Sequence, residues 1–99
     1  MRYIFDNGLK KIDLKDGSVI WDVAACGGSP SWDFDKEGNL YITGYYDADI
    51  SRVDNNGNVI KSSLGSYYWP YKVQVSDNKV LVSCEMPQDT VLEFNKSDL

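Results

Sequence analysis

Leu40-Tyr41-Ile42-Thr43 stands forty residues before Val80-Leu81-Val82-Ser83, and each run is three large apolar residues closed by a hydroxyl. Working outward from this pair, Pro30 falls over Pro70 at the same step. With one extra residue allowed in the second copy, Ile50-Ser51-Arg52-Val53-Asp54 falls over Val91-Leu92-Glu93-Phe94-Asn95. The middle copy also matches an earlier stretch: residues 9–13 lie over 50–54, and Gly17-Ser18-Val19-Ile20 over Gly57-Asn58-Val59-Ile60. β-branched and aromatic residues suit a pleated strand, while Gly, Asn and Asp between them suit tight turns. No segment carries a helical apolar period over ten or more residues.

The chain therefore reads as ten short strands in three units. Residues 3–5, 9–14 and 18–24 form the first unit, with a hairpin turn at Asp6-Asn7-Gly8 and a break at Gly27-Gly28-Ser29-Pro30. Residues 31–35, 39–44, 49–54 and 58–62 form a complete second unit. Residues 71–75, 79–84 and 90–95 repeat its first three strands. A period of about 40 residues built from short strands and glycine turns is the signature of β-propeller blades. The expected fold is all-β, a partial β-propeller of about two and a half four-stranded antiparallel blades. The units are 1–26 (incomplete), 27–66 (complete) and 67–99 (incomplete). The first lacks its innermost strand and the last its outermost, which leaves open edges and apolar faces. The ring is expected to be completed by further copies of the chain, as a homo-oligomer, or by the remainder of a longer propeller.

Composition narrows the function classes. The 99 residues carry ten basic against fifteen acidic side chains, a net charge of −5. Phosphate-backbone binding needs clustered Lys and Arg, so nucleic acid is not an expected partner. No apolar run approaches the roughly 20 residues of a membrane-spanning helix, and no membrane partner is expected. Met1-Arg2-Tyr3-Ile4-Phe5-Asp6 has no signal-peptide layout. The absence of histidine removes the commonest general base and most zinc sites. Cys26 and Cys84 fall in non-adjacent units and read as separate buried or half-buried thiols rather than a disulfide.

Ile12-Asp13-Leu14-Lys15-Asp16-Gly17-Ser18-Val19-Ile20-Trp21 resembles the blade signature of the quinoprotein-like (PQQ-like) propellers: an Asp, a Gly, and a Trp four residues after the Gly. The resemblance implies that Trp21 docks onto the neighbouring blade. Glu37-Gly38-Asn39-Leu40-Tyr41-Ile42-Thr43 and Ile50-Ser51-Arg52-Val53-Asp54 look more like the NHL and gluconolactonase-like propellers. In the second unit Lys61 stands where Trp21 stands in the first, so the docking signature occurs once. Both groups contain enzymes and binding scaffolds, so the likeness implies architecture rather than activity. No quinone pocket is recognisable, and no cofactor is expected.

Three constellations bear on function. Asp33-Phe34-Asp35-Lys36-Glu37-Gly38 has the alternating carboxylates and glycine of a calcium loop, but Gly44 stands at the twelfth position, where an EF-hand loop needs Glu. The stretch reads as a polar turn, and no metal is expected. Tyr45, Tyr46, Asp47 and Asp49 gather in the loop between the second and third strands of the middle unit, on the end where units connect. Tyr67-Tyr68-Trp69-Pro70-Tyr71 fills a connection whose earlier counterpart is the small Gly27-Gly28-Ser29-Pro30-Ser31. Tyr and Trp offer large contact areas with a polar tip and dominate binding hot spots. The competing role is packing, with Trp69 and Tyr71 alternating into the core between units.

Glu85 occupies the third unit's equivalent of the Tyr45 loop. No Ser or Cys has a visible partner base, so nucleophilic catalysis has no support and no catalytic residue is assigned. The expected function is a non-enzymatic module that binds a protein segment or a small polar ligand. Its candidate contacts are Tyr45, Tyr46, Asp47, Asp49, Tyr67, Tyr68, Trp69 and Glu85. Two other classes stay open: a piece of a metal-dependent lactonase-like or quinoprotein-like enzyme, and a structural self-assembling half-ring.

Overall fold

A computed structural model describes residues 2–5, 9–24 and 30–99. The Asp6-Asn7-Gly8 turn, the Gly27-Gly28-Ser29 break and Cys26 lie outside the described residues. The chain is all-β, with ten strands in chain order: β1 (Arg2–Phe5), β2 (Leu9–Ile12), β3 (Val19–Val23), β4 (Pro30–Phe34) and β5 (Leu40–Gly44), then β6 (Asp49–Val53), β7 (Val59–Ser63), β8 (Tyr68–Val75), β9 (Lys79–Met86) and β10 (Thr90–Asn95). A 3-10 turn follows at Lys96–Asp98. The strands form three antiparallel sheets in the orders β1-β2-β3, β4-β5-β6-β7 and β10-β9-β8. They stack as an open array of 44 × 27 × 17 Å.

Alternation along each strand distributes side chains to two cores. Every residue of β5 is buried, because the sheet it belongs to has a neighbour on each side. Leu40 and Ile42 point one way and meet Leu9, Tyr3, Trp21 and Val23 of the first sheet. Tyr41 points the other way and meets Val73, Val80, Val82 and Cys84 of the third. Each fully buried side chain of this size is worth about 1.5–3 kcal/mol. The outer sheets have one open face each, and β10 accordingly alternates between half-buried and exposed. Cys84 is a free, buried thiol whose pKa burial pushes up.

Polar contacts fix how the sheets stack. Trp21 docks on the second sheet, its Nε1 donating to the Asn55 carbonyl at 3.1 Å. Lys11 Nζ reaches the Asn55 side-chain oxygen at 3.3 Å. The ring of Trp21 lies so close over Gly57 that a Cβ there would stand 2.9 Å from its Cγ. At the next junction, Arg52 Nη1 donates to the Leu99 carbonyl at 2.8 Å. The edge strands β4 and β8 are joined through side chains: the Val73 N–H donates to Ser31 Oγ (3.1 Å) and the Val75 N–H to Asp33 Oδ2 (2.8 Å). Such contacts satisfy edge donors that would otherwise be free to pair with another chain.

Register corrects two details of the sequence reading. A bulge in the β2–β3 pair places Trp21 opposite Lys11. Its counterpart in the β6–β7 pair is the residue opposite Arg52, which is Ile60 rather than Lys61. In the third sheet Pro70 pairs with Cys84 and Lys72 with Ser83, so Tyr71 is an inserted bulge residue. In the second sheet Pro30 and Ser31 pair consecutively with Gly44 and Thr43. Tyr71 is offset by a shorter β8–β9 turn, so the step of forty reappears at β9 and conceals both changes. The aromatic run is therefore not a connection: Tyr68 to Tyr71 belong to β8.

Two turns use one device. Asp35-Lys36-Glu37-Gly38-Asn39 joins β4 to β5, and Asp54-Asn55-Asn56-Gly57-Asn58 joins β6 to β7. In the first, Asp35 Oδ1 accepts the N–H groups of Glu37 (3.1 Å) and Asn39 (2.9 Å), and Oδ2 accepts the Asn39 side-chain amide (3.2 Å). Asp54 repeats this pattern with Asn56 and Asn58. Asp33 and Asp35 thus act as acceptors for strand and turn N–H groups. Burial alone would raise the Asp35 carboxyl, but Asn39, Lys96 and the Glu37 N–H outweigh it and hold the group below its ordinary value.

Gly57 and Gly17 occupy the same turn position, and both have positive φ (84° and 75°). Only Gly57 has Trp21 against it; nothing lies within 4 Å of a Cβ at Gly17. Gly17→Ala should cost about 1 kcal/mol from backbone strain. Gly57→Ala should cost about 2–4 kcal/mol, because Trp21 must also leave its seat. Urea unfolding of the two variants tests this; equal losses would mean that Trp21 docking adds nothing. For Asp35 the lowered carboxyl contributes stability that is present above the ordinary value of 3.8 and lost as pH falls through the lower folded value. Asp35→Asn should therefore be least stable relative to the parent at neutral pH, and the gap should close on acidification below 3.8. A pH-independent gap in the urea midpoints would contradict this.

Candidate functional site

At one end of the array, the β5–β6 loop of the second sheet meets the start of β8 and the end of β9 in the third. Tyr45 follows directly on β5, and its hydroxyl donates to Glu85 Oε2 at 2.7 Å across a separation of 40 residues. The two residues hold the same place in successive repeats, so one hydrogen bond ties sheet to sheet. The bond, first, and the nearby Glu85 charge keep the Tyr45 phenol protonated above its ordinary value of 10.0. The phenol is therefore the donor and the carboxylate the acceptor.

Around this bond four rings form a continuous row. Tyr46 stands edge-on to Tyr45, with centroids 5.2 Å apart and planes at 89°. Tyr45 lies nearly parallel to Trp69, at 6.0 Å and 16°. Trp69 meets Tyr68 edge-on at 5.5 Å and 86°. Tyr46 is 74% exposed, Tyr68 39% and Trp69 38%, so the row is a surface feature anchored from beneath rather than core. Aromatic pairs in these geometries are worth about 0.5–1.5 kcal/mol each beyond the area they bury.

Trp69 is, among the described residues, the one non-glycine with positive φ (58°). A side chain in this left-handed region costs about 1–2 kcal/mol. The strain goes with a local sequence of events in β8: Trp69 turns left-handed, Pro70 is buried, and Tyr71 bulges out of register. Tyr71 is 48% exposed. Trp69 and Tyr71 therefore do not alternate into the core, and the buried member of the run is Pro70.

The other candidate residues divide. Tyr67 is half-buried and packs against the core between the second and third sheets. The Asp47 N–H closes the loop onto the Gly44 carbonyl at 3.0 Å. Asp49 opens β6 opposite Ser63, and its carbonyl accepts the Thr43 hydroxyl at 2.8 Å. The row thus gathers Tyr45, Tyr46, Tyr68, Trp69 and Glu85 from the sequence-based set.

A second feature lay outside that set. At the opposite end, a cavity of about 410 Å³ opens between the β4–β5 and β8–β9 turns, with Asp35, Lys36, Asp77 and Lys96 among its lining. Lys96 Nζ lies 3.7 Å from Asp35 Oδ2, with side-chain exposures of 16% and 3%. Desolvation of such a buried pair offsets much of its attraction. Asp35 stood in the stretch read as a polar turn, and the Asp-x-x-Gly-Asn pattern shared by 35–39 and 54–58 is the signal that singles it out; nothing marked Lys96.

Glycine relieves the left-handed strain at position 69 and alanine does not. Trp69→Gly should be about 1 kcal/mol more stable than Trp69→Ala in urea unfolding. Equal stabilities would show that the backbone relaxes to negative φ once the ring is gone.

Compared with known proteins, the chain matches no family model, no curated sequence and no solved structure.

Proposed function

We propose that the three sheets are successive blades of a β-propeller, and that the chain is a non-enzymatic binding module. It recognises a protein segment or a small polar ligand through the aromatic row. The ring is completed by further copies of the chain or by the remainder of a longer propeller. Three features support the architecture: the 40-residue step, sheets of up to four antiparallel strands stacked face to face, and Trp21 docked on the next sheet as the PQQ-like signature implies. The likeness to the NHL and gluconolactonase-like groups adds to this.

The observation that carries the binding reading is the Tyr45–Glu85 bond. It costs the ordering of two side chains, and it holds Tyr45 parallel to Trp69 while three large rings remain open to solvent. A packing role would bury those rings. Rings held in place but left exposed lose little entropy on binding, which favours affinity.

The test is a Tyr68→Ala/Trp69→Ala double variant, screened beside the parent against immobilised peptide and neutral-oligosaccharide libraries. The parent should bind members of one class. The variant should lose those signals more than tenfold while its circular dichroism and cooperative unfolding persist. Unchanged binding would overturn the proposal, and loss of folding would assign the rings to packing.

A further inference from the structure

We propose that the occupant of the aromatic row is a proline-rich peptide segment in polyproline II conformation, flanked by Lys or Arg. This rests on the binding reading above and names its partner class.

The shape of the row is the first argument. Its central pair is nearly parallel, at 16°, and the ring at each end is turned close to perpendicular, at 89° and 86°. The end rings are therefore turned out of the plane of the central pair, and no flat face runs the length of the row. A sugar chain stacks its C–H faces on flat rings. A polyproline II helix, with three residues per turn and a rise of about 3.1 Å, instead presents ridges of prolyl rings that fit between aromatic ridges. That helix makes no internal hydrogen bonds, so its carbonyls are free to accept from Tyr hydroxyls and a Trp N–H. It is also stiff before binding, so little entropy is lost on docking.

Charge is the second argument. The segments that carry the row, residues 45–48, 67–70 and 85–89, hold Asp47, Glu85 and Asp89 and neither Lys nor Arg. The chain as a whole is at −5. A phosphorylated or acidic ligand would meet like charge from these segments. A basic residue beside the prolines would meet Glu85, whose second oxygen has no hydrogen-bond partner among the described residues. Such complementarity steers encounter and selects against acidic partners.

The experiment titrates the 99-residue chain with the blocked peptide Arg-Pro-Pro-Leu-Pro-Pro-Arg, followed by intrinsic tryptophan fluorescence and calorimetry. The same peptide with Glu in place of Arg, and cellohexaose, are the comparison probes. Saturable binding of the Arg peptide is expected, at least about tenfold weaker with the Glu peptide and weakened again by raising salt. Trp69→Ala should abolish it. Glu85→Gln keeps an acceptor for Tyr45 and should weaken the Arg peptide about three- to tenfold while bringing the two peptides closer together. If cellohexaose binds in a Trp69-dependent way and the peptides do not, this inference falls and the binding reading stands. If none of the probes binds and the library screen is also empty, both fall. Equal affinity for the two peptides would overturn the charge argument and with it the proposed partner.

Discussion

The structure depends on the double burial of one sheet. Because both faces of β5 are covered, its alternation splits into two cores, with Leu40 and Ile42 on one side and Tyr41 on the other. A single face would leave a four-stranded sheet with half its large side chains in water. Two faces turn neighbouring sheets into a requirement. The hydrophobic term supplies the attraction but is non-directional. Direction comes from polar bonds between sheets, and these concentrate at turns.

Asn55 shows how much one turn residue can organise. Its carbonyl takes the Trp21 indole N–H, its side-chain oxygen takes Lys11, and its side-chain amide donates to the Glu37 carbonyl at 3.1 Å. It thereby joins the first sheet to both turns at one end of the second. The equivalent junction between the second and third sheets uses different chemistry, with Arg52 on the Leu99 carbonyl and Lys96 beside Asp35. The repeats keep the geometry of stacking while exchanging the residues that enforce it. This is the behaviour expected when packed area holds the sheets together and polar contacts select the register.

Much of this was legible in the sequence, for reasons that also explain what was not. Ten strands and their grouping into three, four and three follow from β-branched runs punctuated by glycine, since strand and turn preferences are local. The meeting of the Tyr45 loop with the aromatic run followed from topology, since connections on one end of stacked sheets must lie together. Bulges were hidden. The extra residue Tyr71 and the shorter β8–β9 turn cancel in the count, so a period of forty looked unbroken where the register had shifted. The same blindness paired Trp21 with Lys61 instead of Ile60. Cross-sheet bonds such as Ser31 to Val73 were invisible because they join side chain to backbone over 42 residues without a pattern of their own.

The inserted residue also bears on the aromatic row at the junction of the second and third sheets. At Pro30 the strand runs into Ser31 in register, and small residues precede it. At Pro70 the bulge relieves the register that would otherwise direct successive side chains to alternate faces. Pro70 keeps the buried site, Tyr71 is released outward, and Trp69 is turned through the left-handed region toward Tyr45. A strand in strict alternation would send Trp69 and Tyr71 to the same face, and here both leave it. The strain at Trp69 is thus the counterpart of the insertion. Stacking on Tyr45, and through it the Glu85 bond, offsets part of that strain, so the row is held by the neighbouring sheet and forms only when the two sheets are stacked.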